Sequence, residues 1–389
     1  MSDFKTNVLD LHAKHTGKLE CLPTMKITSK EDLSMAYTPG VAIPCLAIKD
    51  NPDLANQYTI KGKMVAIITD ASAVLGLGSL PPQASLPVME GKALLLHQFS
   101  GIQAYPLALN TKDPNKIIET IQHIAVNFSA IMLEDIASPQ CVYIEETLQE
   151  CLDIPVFHDD QHGTAIVLSA ALINALEIVK KNITDIKVVV CGLGAAGCAI
   201  TKLLHALGVS QIYGYDIQGV VSKRNINARN PVIQSLVEQK TLKVDDQSSN
   251  LQELLVGKDV FIGVSTNDLL TQEMIQGMAE KSIIFAMANP KPEIDPSLAW
   301  QAGAAVVGTG LSSDPNQINN VLVFPGLMKG VLKAKVKRIT QPIKIATAKA
   351  IASMVKPSER EKGRLLPDIF DKKVVTTIEK AILETIKKD

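Results

Sequence analysis

Two pairs of acidic residues follow short apolar runs in the first half of the chain. Glu134 and Asp135 come directly after the run AIML, and Asp159 and Asp160 come after PVF and one histidine. A buried carboxylate is costly unless it is paired or bound to a metal ion. Since both runs are predicted strands, their acidic ends fall where open α/β sheets bind ligands. Converging carboxylates are hard oxygen ligands that suit Mg²⁺ or Mn²⁺.

Other interpretations of these residues stay open on the sequence alone. Asp160, shortly before Gly163 and Thr164, could cap the next helix, and the remaining acids could pair with lysines. His158 and His162 are four residues apart and could share a zinc ion on one helix face. The residues between them are Asp-Asp-Gln, which is not the metalloprotease arrangement, so zinc is the less favoured interpretation.

A lysine and a tyrosine have side chains that suit proton transfer. Lys92 lies among apolar residues in LPVMEGKALL, and burial would lower the pKa of its amine so that it could act as a base. Tyr37 precedes a Pro-Gly turn in MAYTPGVA, and a phenol can donate a proton to a carbanion or an enol. From spacing alone, the preferred interpretations are an exposed helix lysine and a core tyrosine with its hydroxyl in water.

The segment VVVCGLGAAG follows an apolar strand and opens a predicted helix. In this pattern Gly192 permits a tight turn, Gly194 allows the backbone to approach a pyrophosphate, and Gly197 allows close packing of helix on strand. The helix N-terminus, at Ala195 and Ala196, offers unpaired N–H groups to the phosphates. The context therefore predicts a dinucleotide-binding loop, with a structural glycine-rich turn as the alternative.

Asp216 ends the next predicted strand, about twenty positions beyond this loop. A carboxylate there would accept hydrogen bonds from a ribose 2′-hydroxyl and repel a 2′-phosphate, which favours NAD. Lys223 and Arg224 lie just beyond it and could pair with such a phosphate, so NADP stays open.

Two asparagines lie at predicted strand or loop ends in the second half of the chain. Asn289 ends a strand in FAMANPKPEI, and Asn320 lies in DPNQINNVLVFPG. Their amides can hold a carboxylate or a hydroxyl without adding charge, and we expect both to face the cleft. Asn289 before Pro290 could instead simply initiate a turn.

These residues require a scaffold that alternates strands and helices. The pattern predicts an α/β fold with a parallel sheet in each half, and a long amphipathic helix over residues 164–181 that bridges them. We expect a catalytic α/β domain at residues 1–163 and a doubly wound, Rossmann-type dinucleotide-binding domain with C-terminal helices at residues 164–389. The other predicted elements are strands 64–69, 104–109, 130–133, 155–157, 188–191, 211–216, 260–264, 283–288 and 304–308, and helices 87–99, 115–126, 144–152 and 196–207.

Composition limits the possible functions. The chain has 389 residues, which suits two domains, and its net charge of −1 argues against a nucleic-acid partner. The six cysteines include no C-x-x-C pair, so neither a disulfide framework nor a cysteine-rich zinc site is indicated. No signal peptide is recognisable, and no run approaches the ~18 apolar residues of a membrane span. We therefore expect a cytoplasmic enzyme with a small-molecule substrate.

Several segments in this chain resemble the malic enzymes. They occur in the family's order from about residue 10 to residue 380, and the length is similar to the small bacterial form without a phosphotransacetylase-like extension. The segments are YTPGVA (37–42), SAVLGLG (72–78), PVMEGK (87–92), LEDIA (133–137), FHDDQHGT (157–164), NP (289–290), NN (319–320) and FPG (324–326).

The resemblance implies oxidative decarboxylation of malate to pyruvate and CO₂, with NAD or NADP and with Mg²⁺ or Mn²⁺. It also implies a homodimer whose active site is completed across the interface. By position it implies the following roles: metal ligands Glu134, Asp135 and Asp160; base Lys92 with Asp159 as its partner; acid Tyr37; substrate-binding residues Asn289 and Asn320, with Asn289 also at the cofactor.

Some positions depart from the family's usual pattern. The segment GSLPPQA (78–84) replaces a common GNIGPEA, Ala71 replaces a common glycine, and Leu311 stands where an arginine is common. These changes touch loops near substrate and cofactor and leave the metal, acid and base positions intact. Two alternative functions follow from the same residues: malolactic conversion of malate to lactate, and a catalytically inactive nucleotide-binding regulator.

Overall fold

The computed structural model describes residues 2–15, 17–74 and 76–387. Its strands form two sheets, one in each half of the chain. The first sheet has the order β2-β1-β3-β4 and is parallel. Its strands are β1 (Met64–Thr69), β2 (Gln103–Ala108), β3 (Ala130–Leu133) and β4 (Val156–His158).

The second sheet has the order β10-β9-β8-β5-β6-β7, and its neighbours are parallel except for the antiparallel pair β6–β7. The strand order reverses between β5 and β8, which is where doubly wound sheets bind ligands. The strands are β5 (Lys187–Cys191), β6 (Gln211–Asp216), β7 (Gly219–Val220), β8 (Val260–Gly263), β9 (Ile283–Ala286) and β10 (Val306–Thr309).

Helices cover both sheets and extend to both ends of the described chain. They are α1 (Ser2–His15), α2 (Lys30–Ala36), α3 (Ala42–Asp50), α4 (Ala55–Tyr58), α5 (Pro82–Ser100), α6 (Pro114–Ile124), α7 (Gln140–Cys151), α8 (Asp159–Val179), α9 (Ala195–Ala206), α10 (Pro231–Glu238), α11 (Leu251–Leu255), α12 (Gln272–Gln276), α13 (Pro296–Gln301), α14 (Phe324–Ala334), α15 (Gln341–Ser353), α16 (Pro357–Arg360) and α17 (Lys373–Ile386). The predicted α/β class is confirmed.

Helix α8 joins the two halves through their core. One hydrophobic cluster contains Val65 of β1, Leu168 of α8 and Val188 of β5, so α8 belongs to a core that both halves of the chain share. The helix is long and apolar enough to cross a membrane, with a mean hydropathy of 1.6, contrary to the expectation that no segment meets this requirement. However, 72% of that window is buried inside the protein, as in a core helix.

The predicted start of this helix was wrong. It begins at Asp159, five residues before the expected Thr164, because the His158 side chain caps it by accepting a hydrogen bond from the Gln161 amide. Asp159 and Asp160 therefore form the first turn, where negative charge suits the helix dipole. The expected domain boundary at residues 163 and 164 falls inside α8, and that division stays a prediction.

The C-terminal helices pack against both halves of the chain. Helix α14 contacts α5, and α15 contacts α8 and α9. Gly326 and Gly330 of α14 let α17 approach closely, because a Cβ atom at either position would lie within 2.8 Å of Ile378 or Ile382. Helix α16 begins at Pro357, and residues 361–372 contain no α-helix.

The segment of residues 17–63, called the N-terminal arm below, buries none of its residues within the chain. Large apolar side chains on it are more than one-third exposed, as in a surface that another molecule covers. They are Leu22, Met25, Ile27, Leu33, Met35, Tyr37, Val41, Ile43, Leu46, Tyr58 and Ile60.

Candidate active site

The predicted acidic pairs meet at the carboxyl ends of β3 and β4. These strands are parallel neighbours with Leu133 opposite His158, so the residues that follow them lie at the same edge of the sheet. One side-chain oxygen each from Glu134, Asp135 and Asp160 lies within 4.8 Å of the others. Among the described residues, these three form a group of potential ligands close enough together to share one metal ion.

The backbone around Asp135 helps to bring these residues together. Asp135 adopts a left-handed conformation with φ of 54°, which aspartate tolerates better than most residues. Its amide donates a hydrogen bond of 2.8 Å to Oδ2 of Asp160. This contact joins the two strand ends directly, at a turn that the strand pattern could not reveal.

The chemistry of the cluster fits a hard divalent cation. Oε2 of Glu134 is buried and has no hydrogen-bond partner in the protein, which is costly unless a cation binds it. Burial and the nearby Asp160 raise the pKa of Glu134 well above its usual value, as expected for carboxylates crowded together without a cation. The zinc alternative has no support, because His162 instead contacts Glu145 at 2.8 Å.

Lys92 lies beside this cluster. It is buried on α5, and its Nζ lies 2.5 Å from Oε1 of Glu134 and 2.5 Å from Oδ2 of Asp159. The ammonium also lies 5.0 Å from the ring centroid of Phe324 on α14. The predicted neighbourhood of Lys92 and Asp159 is therefore present, across 67 residues of sequence.

The expectation of a lowered Lys92 pKa was wrong for the protein without a bound cation. Burial by itself disfavours the ammonium form, but the adjacent carboxylates of Asp159 and Glu134 outweigh burial and raise the pKa of Lys92. Burial raises the pKa of Asp159 in turn, against the opposing effect of Lys92. The sequence showed the apolar neighbours of Lys92 but not the acids that the fold places against it.

Asp159 is held between three elements. Its Oδ2 accepts hydrogen bonds from Lys92 and, at 2.6 Å, from Nδ2 of Asn320. Its Oδ1 lies against Gly163 one turn later, where a Cβ atom would approach this oxygen to 2.0 Å. Glycine at position 163 is therefore required for Asp159 to keep this position, a constraint that the sequence motif alone did not explain.

A cleft of about 740 Å³ connects the acidic cluster to the glycine-rich loop. Its lining includes Lys92, Glu134, Asp135 and Asp160 from the first half of the chain. From the second half it includes Gly194, Ala195, Ala196, Ser265, Asn289 and Asn320. The volume is within the usual range for small-molecule and cofactor sites. The two asparagines thus face the cleft, as the sequence predicted.

The glycine-rich loop has the geometry expected of a dinucleotide-binding turn. Gly192 has a φ of 99°, which favours glycine, and a Cβ atom at Gly197 would lie 1.8 Å from the Gly192 carbonyl oxygen. No atom lies within 4 Å of a Cβ built at Gly194, which leaves space beside the backbone. Helix α9 begins at Ala195 directly after this loop, with its free N–H groups at the cleft.

Asp216 ends β6 as predicted, but it is paired with an arginine that the sequence analysis missed. Nη1 of Arg229 lies 2.6 Å from Oδ1 of Asp216, and the arginine side chain is fully buried. Nη2 of Arg229 donates to the carbonyl oxygens of Gly219 and Val220. No spacing rule links residues 216 and 229. Lys223 lies 3.5 Å from Asp246 and is paired there.

Tyr37 is not brought into the cleft by its own chain. It lies at the end of α2 in the N-terminal arm, is 66% exposed, and is not among the described residues that line the cleft. The interpretation of Tyr37 as a core residue is wrong, since the side chain faces solvent. Its predicted role as an acid would require the arm of a second subunit.

Comparison with known proteins gives a consistent result along the whole chain. The malic enzyme N-terminal domain matches residues 16–149, and the malic enzyme NAD-binding domain matches residues 161–386. The chain is 48% identical to the bifunctional malic/malolactic enzyme of Bacillus subtilis, covering 97% of this chain and 92% of that protein. It is also 48% identical to the NAD-dependent malic enzyme of Geobacillus stearothermophilus, covering 95% of this chain and 76% of that one.

A solved structure supports the same assignment. The crystal structure of the NAD-dependent malic enzyme of Thermotoga maritima superposes with a TM-score of 0.91 at 41% identity, covering 96% of this chain and 98% of that chain. The similarity therefore includes both sheets and the cleft between them. Because both family domains match and relatives align over nearly the full length, the chain belongs to the malic enzyme family and is an NAD(P)-dependent enzyme.

Proposed function

We propose that this enzyme oxidises and decarboxylates malate to pyruvate and CO₂, reduces NAD(P), and depends on Mg²⁺ or Mn²⁺. The observation that carries the proposal is the position of Lys92, whose Nζ lies 2.5 Å from both Glu134 and Asp159 at the edge of the three-carboxylate cluster. The same cleft reaches the glycine-rich loop. An amine, a cation site and a nucleotide site in one cleft suit removal of the proton from a hydroxyl group and of the hydride from the carbon atom that bears it.

The proposed metal ligands are Glu134, Asp135 and Asp160. A cation held there would supply Lewis-acid polarisation of the C2 oxygen of the substrate and would offset the carboxylate charge around Lys92, and a bound nicotinamide would supply the hydride acceptor. Lys92, as the neutral amine, would take the proton of the C2 hydroxyl as the hydride leaves C2. Asp159 and Asn320 orient the lysine, since Asp159 accepts hydrogen bonds from both. Asn289, at the cleft, is suited to bind a substrate carboxylate or the nicotinamide amide.

Loss of the C4 carboxylate as CO₂ leaves an enolate that needs a proton on C3. We propose that Tyr37 of a second subunit donates it, because Tyr37 is exposed and lies outside the cleft of its own chain. The N-terminal arm that carries Tyr37 buries none of its residues within one chain. A homodimer would cover this apolar surface and complete each site with a residue from the partner.

The first test is Lys92→Ala. Positioned acid–base groups contribute about 10²–10⁴-fold, so turnover with malate, Mn²⁺ and NAD should fall by that factor. NAD affinity, measured by fluorescence quenching without malate, should stay near the wild-type value, because the nucleotide loop belongs to the other sheet. Full turnover in this variant would exclude Lys92 as the base.

The dimer proposal has its own test. Tyr37→Phe and Lys92→Ala chains are each expected to have low activity, and after subunit exchange roughly a quarter of the sites would combine an intact Lys92 with an intact Tyr37. Recovered activity on mixing would support a site shared between subunits. No recovery, with mixed dimers demonstrated by differently tagged chains, would show that both residues act within one chain.

We propose NAD as the preferred nucleotide. Asp216 is present at the end of β6. Arg229 beside it is fully buried, forms an ion pair with Asp216 and donates from Nη2 to backbone carbonyls, so it is not free for a 2′-phosphate. Asp216→Ala should raise the Michaelis constant for NAD by roughly 10–100-fold, as for loss of a hydrogen bond to a charged group. A wild-type enzyme with a higher kcat/KM for NADP than for NAD would contradict this preference.

A second candidate activity is malolactic conversion, favoured by the 48% identity to the bifunctional malic/malolactic enzyme of Bacillus subtilis. In that reaction pyruvate is reduced to lactate before the nucleotide leaves, so no reduced nucleotide accumulates. Measuring pyruvate, lactate and reduced nucleotide together separates the two. The inactive-regulator alternative predicts none of the three products.

We propose the cytoplasm as the compartment. The six cysteines are free thiols, and exposed thiols such as Cys21, Cys45 and Cys151 persist where the environment is reducing. Cell fractionation with an activity assay tests this. Recovery of the activity outside the cytoplasmic fraction would refute it.

A further inference from the structure

A buried glutamate that the mechanism does not use holds the start of α8. Glu145 lies on α7 and is 3% exposed. Its Oε1 accepts a hydrogen bond of 3.0 Å from the His158 amide, and its Oε2 accepts one of 3.0 Å from Nε2 of Gln161. Nε2 of His162 lies 2.8 Å from the same Oε2. Three groups at the junction of β4 and α8 therefore converge on one carboxylate.

The charge of Glu145 is balanced from the other half of the chain. Nζ of Lys344 on α15 lies 3.0 Å from Nδ1 of His162, so the imidazole connects the lysine to the glutamate. Burial alone would raise the pKa of Glu145, but His162 and Lys344 lower it to about 2. Glu145 is thus an anion at neutral pH, and it needs no partner from solvent.

The junction leads directly to the carboxylate cluster. Nδ1 of His158 accepts the Gln161 amide at 3.3 Å, which leaves the ring proton on Nε2. That Nε2 lies 3.6 Å from Oδ2 of Asp160 and has no other partner in the protein. The backbone segment that Glu145 binds, at the junction of β4 and α8, is therefore the same segment that orients the side chains of His158 and Asp160.

We infer that Glu145 is a positioning residue of the metal site: by fixing the β4–α8 junction it sets the orientation of Asp160 and hence the affinity for the divalent cation. The inference rests on the proposed function only in taking Glu134, Asp135 and Asp160 as the metal ligands. Groups that orient metal ligands from the next layer typically contribute 10–100-fold to metal affinity or activity. A glutamate that only filled the core would affect stability and leave the affinity unchanged.

The test compares Glu145→Gln with two other variants. Glutamine keeps the volume and one acceptor, but it loses the charge and cannot accept from all three donors. Glu146→Gln is the matched control, because the Glu146 side chain is 63% exposed and forms an ion pair of 3.8 Å with Lys202. Asp160→Asn is the reference for loss of a ligand. Mn²⁺ binding is measured by electron paramagnetic resonance of the free ion, without malate or nucleotide.

We expect Glu145→Gln to weaken Mn²⁺ binding by about 10–100-fold, with nucleotide affinity unchanged and near-ultraviolet circular dichroism of a folded protein. We expect Glu146→Gln to match the wild type. A folded Glu145→Gln protein with wild-type Mn²⁺ affinity would overturn the inference. Because binding is measured without turnover, a wild type that binds Mn²⁺ but does not oxidise malate would refute the proposed function separately.

A second variant decides the matter if Glu145→Gln does not fold. Lys344→Met removes the ammonium group that contacts His162, which in turn contacts Glu145, and it keeps the volume of the apolar part of the side chain. Several-fold weaker Mn²⁺ binding in this variant would support the inference, since the effect must pass through His162 and Glu145. Wild-type Mn²⁺ affinity in Lys344→Met would overturn it in that case.

Discussion

Gly163→Ala tests whether the position of Asp159 matters for catalysis. An alanine Cβ atom at this position would lie 2.0 Å from Oδ1 of Asp159 and 3.2 Å from Cβ of Asn320. Since real Cβ contacts shorter than about 3 Å are not tolerated, the carboxylate must move by about 1 Å or more. That displacement would lengthen the 2.5 Å contact between Asp159 and Lys92.

The expected effect on rate follows from this displacement. A misplacement of about 1 Å near the reacting groups can cost roughly 10²-fold in rate, so kcat with malate, Mn²⁺ and NAD should fall by about that factor. NAD affinity should change little, because the glycine-rich loop that contains Gly192 and Gly197 follows β5 of the second sheet, whereas Gly163 lies in α8. The assay follows formation of reduced nucleotide and pyruvate, with NAD binding measured separately by fluorescence.

A matched control is Gly277→Ala at the end of α12. There φ is −78°, and the nearest atom to an added Cβ would be the Met274 carbonyl oxygen at an ordinary 3.5 Å. This variant should retain wild-type kcat. A folded Gly163→Ala enzyme with wild-type kcat would refute the argument that Asp159 must hold Lys92 in its present position.

Three further predictions concern single residues. Gly197→Ala should destabilise the fold by about 1–3 kcal/mol and weaken NAD binding, measured by thermal unfolding and by fluorescence, because its Cβ would lie 1.8 Å from the Gly192 carbonyl oxygen; unchanged values for both would contradict the loop geometry. Asp135→Asn removes a carboxylate ligand, so the affinity for Mn²⁺ should fall more than about 100-fold. The melting temperature should change little, because asparagine also tolerates the left-handed φ of 54°. Retained Mn²⁺ affinity would exclude Asp135 as a ligand. The pKa of Glu145 is lowered from 4.5 to about 2, so its ionised form stabilises the fold above pH 4.5, and this contribution is lost as the pH falls towards 2. The free energies of unfolding in urea of wild type and Glu145→Gln should therefore differ by about 3 kcal/mol near neutral pH and become equal in acid. A difference that does not depend on pH would contradict the assignment.

Local patterns in the sequence predicted much of the scaffold. The strands at 64–69, 130–133 and 211–216 have the predicted bounds, because each contains a short run of apolar or aromatic residues, a local pattern that favours a strand. The glycine-rich loop was predictable for a similar reason, since its backbone geometry depends on glycine at fixed spacing. The acidic pairs were predictable as a group, because residues that follow adjacent parallel strands meet at one edge.

Contacts between distant segments were not predictable in this way. The pairing of Asp216 with Arg229 and the bridge from Lys344 through His162 to Glu145 depend on how loops and C-terminal helices pack, and no spacing rule encodes that packing. The early start of α8 depends on a histidine cap, which the general preference for Ser, Thr, Asp and Asn did not suggest.

The sequence by itself determined which chemical groups the enzyme possesses and on which elements they lie. Only the tertiary structure decided their charge states and partners: it placed two carboxylates 2.5 Å from Lys92 and reversed the expected direction of its pKa shift, and it left Tyr37 outside its own chain's cleft. The physical reason is that backbone preferences are local, whereas the electrostatic energy of a buried charge is set by every group that the fold brings near it.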